Sequence, residues 1–558
     1  MIYKTFLSVV SGFLAVSAMA QNLDPTVVVD RSYEGKLIEV HKPSLEMAVP
    51  DSVYRFDLDF DYSVFDNPYK GSYEFQPYLL SMKPSASADA QKNLFIKAGA
   101  GYQLHPELDL VWSPALSNRR IGIDVYAGNR SYIGKYLELD GSGNGPWSGH
   151  DVKSTAGADL SFDLDKAVIK TGAGYNGLIA GRPEWKRSYN AVDAFFSLAS
   201  KNNPYDSRFH YGVDVAYRHA GDRVTGVLPS KAVVSENVLD VDASFGFATR
   251  GFKLLFDLGA DFVNCTGAMR ADAGQFHVTP HYVYRKGRLV ADLGLKVAKI
   301  LDSDVNDKTY SSASKEQYLY PDVNVDFLLI RNALKLNIDI TGGNELYSYG
   351  DVLERNHFLD FMSGFGDKGP VDFTIERVNA SIGLEGRISS RFSYNLRAGF
   401  ASYANAMFDY VLSGTESVFS AGVGYSSANR TYAEIDLRWK SESIMAYTTA
   451  VCSSYSGKAF SENSYLMMPA AITGELGFEY NWKRRIFAGI DCKFSSSCRN
   501  SIFEIAPFAD LGLYAEYAIS RGFSLWARGG NLLGMTVCHT PLYAEKGAYF
   551  TLGICLNL

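Results

Sequence analysis

Histidines are the first side chains in this sequence to weigh for chemistry, because neutral imidazole ligates metals and titrates near neutral pH. His277 and His281 fall on one face of a predicted strand, but four residues of strand hold them about 13 Å apart. They cannot share one ion unaided, and a third histidine on the same kind of face, His210, does not complete a set. Asp302-Ser303-Asp304-Val305-Asn306 opens like a calcium loop. Asp307 then replaces the glycine such a loop needs, and Ala313 stands where the bidentate glutamate belongs. Gly141-Ser142-Gly143-Asn144-Gly145 precedes no helix, so it has no N-terminal amides to cradle a phosphate. Trp147 and Trp185 fall in predicted outer loops, where they either stack on sugar rings or serve packing and interface anchoring. HExxH, GxSxG, Walker and dinucleotide-binding patterns are absent. The sequence therefore predicts no enzyme, with no catalytic residue, no metal ligand and no cofactor, and it leaves the ligand-binding residues undefined.

The elements that must carry these residues are more legible than any site. From Leu94 to the C-terminus, segments of about ten residues alternate apolar and polar positions, the period of a half-buried strand. Leu334-Lys335-Leu336-Asn337-Ile338-Asp339-Ile340-Thr341 shows it cleanly. Leu239 to Phe247 repeats it with Asp240, Asp242, Ser244 and Gly246 between, and Ala433 to Trp439 with Glu434, Asp436 and Arg438 between. With lipid outside and a polar lumen inside, a transmembrane antiparallel β-barrel is written this way.

The N-terminus predicts export. Lys4, the apolar stretch Phe6 to Val16 and Ala18-Met19-Ala20 before Gln21 make residues 1–20 a signal peptide. No cysteine follows that cleavage site, which disfavours a lipid anchor. Beyond it no apolar run reaches the roughly 18 residues of a membrane helix, so a spanning chain must close a barrel to satisfy its backbone. The 36 Tyr, 34 Phe and 50 Gly suit aromatic girdles and close backbone approaches, and a net charge of −7 with no basic stripe argues against a nucleic-acid partner. The six cysteines show no metal spacing; only Cys492 and Cys498 are near neighbours, as a disulfide or as two free thiols.

Connections alternate between short turns, near Asp165, Arg250, Lys286, Ser389-Ser390, Ser427-Ala428 and Lys483 among others, and long loops such as Gly128 to Asp151 and Gly343 to Val371. Short turns belong to the periplasm and long loops to the cell surface, so both long loops are expected to be exposed and to accept an epitope tag. With Leu94 to Tyr102 and Leu108 to Trp112 as the first hairpin and Ala433 to Ser453 as one long strand, the count is about 22 strands, each about 9 to 11 residues long. Pro280 and Pro321, lying inside strands, predict bulges or early strand ends.

The stretch Ala527-Arg528-Gly529-Gly530-Asn531-Leu532-Leu533, with Tyr543, Gly547, Tyr549-Phe550 and Leu552-Gly553 ending at Leu558, resembles the closing hairpin of TonB-dependent outer-membrane receptors. The barrel from Leu94 onward is similar in layout, and Asp66-Asn67-Pro68-Tyr69-Lys70-Gly71 looks like the plug-poor receptor-like barrels of Bacteroidetes. That resemblance implies a 22-stranded Gram-negative outer-membrane barrel importing large nutrients. Asp24-Pro25-Thr26-Val27-Val28-Val29 stands where a TonB box would, but residues 21–92 contain neither the Arg-Gly nor the Pro-Gly motif of receptor plugs, and Leu558 replaces the usual terminal aromatic. The organisation expected is 1–20 signal peptide, 21–92 periplasmic extension or reduced lumenal plug, and 93–558 barrel. The alternating run Phe56 to Tyr62 would lie along the wall in the plug case. The function expected is receptor-like or porin-like uptake or passage of an unknown small solute across the outer membrane, with outer-membrane lipid and other envelope proteins as partners. The alternative is a non-transporting scaffold barrel of an envelope assembly; an outer-membrane hydrolase would need a Ser/His/Asp set that the sequence does not show.

Overall fold

Every peptide group crossing hydrocarbon needs a partner inside the protein, and this chain supplies partners by closing one 22-stranded sheet on itself. The structure is a computed structural model. It describes residues 93–558 except 103, 117–119, 137–146, 183–184, 202–208, 226–230, 249–251, 303–316, 332, 360–369, 414–418, 461–463, 542–543 and 545–546. The export signal, the TonB-box-like run, Phe56 to Tyr62, the Gly141–Gly145 loop and the body of the calcium-like loop lie outside the described residues.

The first half of the wall comprises β1 (Leu94–Gly101), β2 (Glu107–Trp112), β3 (Ile121–Tyr136), β4 (Trp147–Asp163), β5 (Ala167–Arg182), β6 (Trp185–Ser200), β7 (His210–Thr225), β8 (Lys231–Ala248), β9 (Phe252–Gly267), β10 (Ala271–Lys286) and β11 (Leu289–Asp302). The second comprises β12 (Gln317–Ile330), β13 (Leu334–Tyr347), β14 (Asp372–Arg387), β15 (Phe392–Ser413), β16 (Phe419–Lys440), β17 (Ile444–Ser456), β18 (Ile472–Trp482) and β19 (Ile486–Ser495). A small hairpin, β20 (Cys498–Arg499) with β21 (Glu504–Ile505), stands apart from the wall before β22 (Phe508–Ala518), β23 (Phe523–Gly530) and β24 (Tyr549–Asn557) complete it. Each barrel strand pairs antiparallel with the next, and β24 pairs back onto β1 from Phe95↔Asn557 to Gly101↔Thr551.

At that seam the inner face is shaped by Trp526, whose ring lies across the closing strands. A Cβ added at Gly99 or Gly553 would come within 2.5 Å of the ring, so both positions need glycine. The Trp526 indole donates to the Ile554 carbonyl at 3.2 Å, and the Lys97 ammonium sits 4.6 Å from its ring. On leaving β23, Asn531 takes a left-handed φ of 46°, a conformation asparagine tolerates, and its side chain braces the loop through the Met535 backbone.

The two faces of the wall are as the alternation predicts. Val325, Ile338 and Ile382 stand side by side on the outer face, and Ile382 is 52% exposed to the lipid side. Asn337, between them along the strand, faces inward and donates to Asp326 and Asp339. The strand count also agrees with the sequence, as does the first hairpin.

Boundaries differ in four places. Strands β3 to β16 run 14 to 22 residues, well beyond a bilayer's need, because ladder pairing continues above the hydrocarbon wherever two strands remain neighbours. Most of the expected Gly128 to Asp151 loop is consequently strand. The turn expected at Ser427-Ala428 lies inside β16; the chain turns instead between Lys440 and Ile444, cutting the expected long strand Ala433 to Ser453 in two. Pro280 makes no bulge: its register with β9 is continuous, and pairing with β11 resumes in phase at His281. Pairing of β12 with β13 does begin only past Pro321, at Val323, while register shifts occur near Thr341 and Glu376.

Because Ile338 faces lipid and Asn337 faces carboxylates, Ile338→Arg is expected to cost about 2 to 4 kcal/mol of barrel stability if the site is near the bilayer midplane. Asn337→Arg is expected to be nearly neutral. Refolding into vesicles, followed by urea titration of both variants, checks the difference.

Candidate functional site

The connection between β13 and β14 turns into the barrel rather than away from it. Ser348 starts a helix, α1 (Tyr349–Arg355), by accepting the Asp351 amide while the Asp351 carboxylate accepts the Ser348 amide, a reciprocal capping box. Asp351 in the first turn and Arg355 in the last complement the helix dipole. Seven residues are too few for a stable isolated helix, so packing must hold α1. Tyr349, Val352 and Leu353 are at most 1% exposed, and with Phe358 and Leu359 they join one apolar cluster with inward side chains of β3 and β5 to β9. Tyr132, Leu178, Tyr189, Val234, Val238 and Val263 belong to it.

A buried polar network fixes this connection to the opposite wall. Arg187 of β6, 1% exposed, donates from Nε to Asp222 Oδ2 at 3.0 Å, from Nη1 to the His357 carbonyl at 2.9 Å and from Nη2 to the Leu359 carbonyl at 2.7 Å. The Tyr349 hydroxyl donates to the same Asp222 carboxylate, and Glu236 of β8 accepts the amides of Tyr349 and Gly350. Burial, ahead of the neighbouring carboxylates, pushes the Tyr349 phenol well above its ordinary range, so it stays a donor. More exposed pairs add ties to further strands: Lys153 with Glu354, Asp151 with His357, Arg218 with Asp351, and Asp409 with Arg355. The connection thus touches β4, β6, β7, β8 and β15, crossing the mouth at the long-loop end.

For the described residues up to Leu359, the expectation that Gly343 to Val371 is an exposed surface loop is overturned, while residues 360–369 lie outside the described residues. Residues 343–347 finish β13, and residues 349–359 are largely buried. The reason is compositional: Val352, Leu353, Phe358 and Leu359 find apolar cover only against the inner wall.

Beyond the network, the mouth carries a second rigid part. Tyr410 of β15 bridges to Leu466 and Met468 to Arg499, while Val411, Met467, Phe503, Ile505 and Cys538 form a cluster above the rim. Toward the short-turn end the inner wall of β8 to β12 carries Asp240, Asp242, Asp257, Asp261, Asp292 and Asp322, opposed by Lys253 and Lys296.

The histidines stay apart. His281 is held between Asp257 at 3.1 Å and Asp292 at 3.0 Å; His210 bonds Ser200 at 3.0 Å; His277 lies over Gly259. Among the described residues no His, Cys, Asp or Glu group suits a metal ion. Trp185 is 3% exposed, 6.0 Å from the Phe358 ring and beneath the Arg187 guanidinium at 5.0 Å, so it packs and is closed to a sugar. The Trp147 side chain lies outside the described residues. Cys492 and Cys498 are two free thiols. Arg187, Asp222, Glu236 and Tyr349 belong to no sequence motif; the legible trace is the capping signature Ser348-Tyr349-Gly350-Asp351 before Val352-Leu353.

No family model matches this sequence, and no curated protein matches it significantly. Solved structures do match. The copper transporter OprC is 12% identical, with 84% of this chain and 80% of that one covered and a TM-score of 0.63. The FrpB iron transporter from Neisseria meningitidis is 11% identical, covering 84% and 82% with a TM-score of 0.63. The ferric-catecholate import receptor Fiu from E. coli K12 is 10% identical, covering 84% and 82% with a TM-score of 0.59. The barrel has the fold of TonB-dependent outer-membrane receptors. At such identities the likeness speaks for fold; the inward connection described above is read from this chain's own residues.

Removing the Arg187 side chain strands the Asp222 charge in a dry site. Arg187→Met is therefore expected to destabilise the connection by about 3 to 5 kcal/mol, and Arg187→Met with Asp222→Leu by clearly less. Hydrogen exchange at the amides of residues 349–359, with barrel melting as the control, measures both.

Proposed function

We propose that this protein is a receptor-like barrel of the outer membrane that takes up or passes small solutes, its lumen narrowed by its own β13–β14 connection. The observation that carries this reading is the buried Arg187–Asp222–Tyr349 network, which holds an apolar helix across one side of a polar-walled, 22-stranded lumen. A barrel of this size encloses far more space than side chains can fill. A fixed inward connection converts such a lumen from an open pore into a selective one. Residues 1–20 act as the export signal in this reading, and residues 21–92 as a reduced plug of the plug-poor receptor type. The likeness in fold to structures described as copper and iron transporters supports uptake as the class of activity.

One observation favours a second reading, that of a non-transporting scaffold for envelope proteins: the connection and the clusters above the rim are packed as rigid structure rather than as a mobile gate. Conductance separates the two. Replacing residues 349–358 by a short Gly-Ser linker is expected to raise single-channel conductance in planar bilayers several-fold, and removing residues 21–92 to raise it further. A folded linker variant that conducts no better than the parent would favour the scaffold.

The acidic wall of β8 to β12 also sets an expectation for selectivity, since a lumen lined by one sign of charge concentrates the opposite ion. In a salt gradient the linker variant is expected to show a reversal potential favouring cations. Asp240→Asn with Asp261→Asn in that background is expected to reduce the preference.

A further inference from the structure

Glu236 carries a titratable group into a dry place with no cation of its own. It is 1% exposed and faces inward from β8 beneath the first turn of α1. Counted from the exposed Phe247 at the short-turn end, the roughly ten residues that cross hydrocarbon end near Asn237. Glu236 therefore lies above the hydrocarbon, at the mouth.

Every element packed around this carboxyl contributes a polar group, and the charges do not balance. From α1 come the amides of Tyr349 and Gly350, the second at 3.1 Å, and the Asp351 carboxylate. From β7 comes Arg218, whose guanidinium is already shared: Nε donates to Asp193 of β6 at 2.7 Å and Nη1 to Asp351 at 3.2 Å. The Cys265 thiol of β9 donates to Glu236 at 3.8 Å, and the Tyr189 hydroxyl of β6 stands beside it. Arg187, the other arginine of the mouth, is committed to Asp222 and to the carbonyls of His357 and Leu359. The carboxylates of Glu236, Asp193 and Asp351 thus face one arginine. Glu236 is the most deeply buried of them and makes no salt bridge among the described residues.

Burial, opposed by the two amide bonds, reinforced by Asp351 and opposed again by Arg218, pushes the Glu236 carboxyl up to about 7. A protonated carboxyl still offers its carbonyl oxygen and a hydroxyl lone pair to the two amides. When the connection lifts, water reaches the group and it reverts to an ordinary glutamate, which gives up its proton. A carboxyl raised in the seated state stabilises that state below the ordinary glutamate range, and this stabilisation is lost as pH rises through about 7.

We propose that Glu236 is a proton-operated latch on the β13–β14 connection: protonated, it seats the first turn of α1, and on losing its proton it loosens that turn and widens the mouth. The widening rests on the reading of this connection as the constriction of the lumen; the latch itself does not.

Hydrogen exchange on the full chain in lipid nanodiscs tests the latch. Protection factors, which remove the intrinsic pH dependence of exchange, are expected to fall about tenfold or more for residues 349–359 between about pH 5 and about pH 8, while those of the seam strands β1 and β24 stay constant. Glu236→Gln keeps an acceptor oxygen but cannot ionise, so its protection is expected to be constant over that range and to match the parent at the acid end. His357→Gln, which removes the other group of the connection that titrates near neutral pH, is expected to keep the parent's slope. A parent profile that is flat or rises with pH overturns the proposal, whether or not the variants fold. So does a slope that survives Glu236→Gln or disappears in His357→Gln, since the His357–Asp151 pair would then be the titrating group. In planar bilayers the parent is expected to conduct more at the alkaline end than at the acid end, and Glu236→Gln equally at both. A latch seen by exchange with no change in conductance would leave the latch standing and overturn the narrowing role of the connection.

Discussion

Closure of the hydrogen-bond ladder is the constraint on which everything else in this molecule depends. A strand edge in hydrocarbon would leave a row of unpaired amides and carbonyls, each costing several kcal/mol, so β24 must find β1 although more than 400 residues of wall intervene. The seam is accordingly sterically specified. Gly99 and Gly553 leave room for the Trp526 ring, and Trp526 in turn hands its indole proton to the seam and its face to Lys97. Short side chains bring the backbones together, and one large ring covers the gap they leave.

Closing so many strands creates the second problem, a wide polar lumen. The protein answers it at the mouth with a segment whose own propensities are modest. α1 owes its start to the Ser348–Asp351 capping box and its persistence to burial of Tyr349, Val352 and Leu353. The buried Arg187–Asp222 pair is not an economical source of stability, since two desolvated charges roughly cancel their attraction. Its effect is on placement. Arg187 can satisfy its donors only when the His357 and Leu359 carbonyls are where they are, and Glu236 accepts the first helix amides only in that position. An apolar contact of equal area would tolerate sliding; this network does not.

The outer and inner faces divide the chemistry of the chain. Inward carboxylates pair with lysines and arginines around the lumen, as at Lys335 between Asp326 and Glu385. On the outer face the side chains are largely apolar, as at Val325, Ile338 and Ile382. The same strand, β11, has Lys296 at an inward position and Lys299 at an outward one, three residues apart and on opposite sides of one sheet.

Alternation with period two is a property of neighbouring residues, so the barrel class, the inward placement of Asp240, Asp242, Glu434 and Arg438, and the outward placement of Ile338 were legible in the sequence alone. So was the total of 22 strands, even with one turn misplaced by a stretch of β16 where Ser426, Ser427 and Ala428 imitate a turn in composition but form a register shift, with Ser426 and Ala428 paired to β15 on either side of it. Strand ends were less legible, because pairing above the membrane depends on whether two strands stay adjacent and not on the residues of either. The inward connection was least legible of all. Arg187, Asp222, Glu236 and Tyr349 are separated by up to 162 residues in the chain, and nothing local to any of them says that the others will be within hydrogen-bond reach. Only curvature of the closed sheet brings β6, β7 and β8 to face the chain between β13 and β14, so only the tertiary structure could turn a predicted surface loop into the inner wall of the mouth.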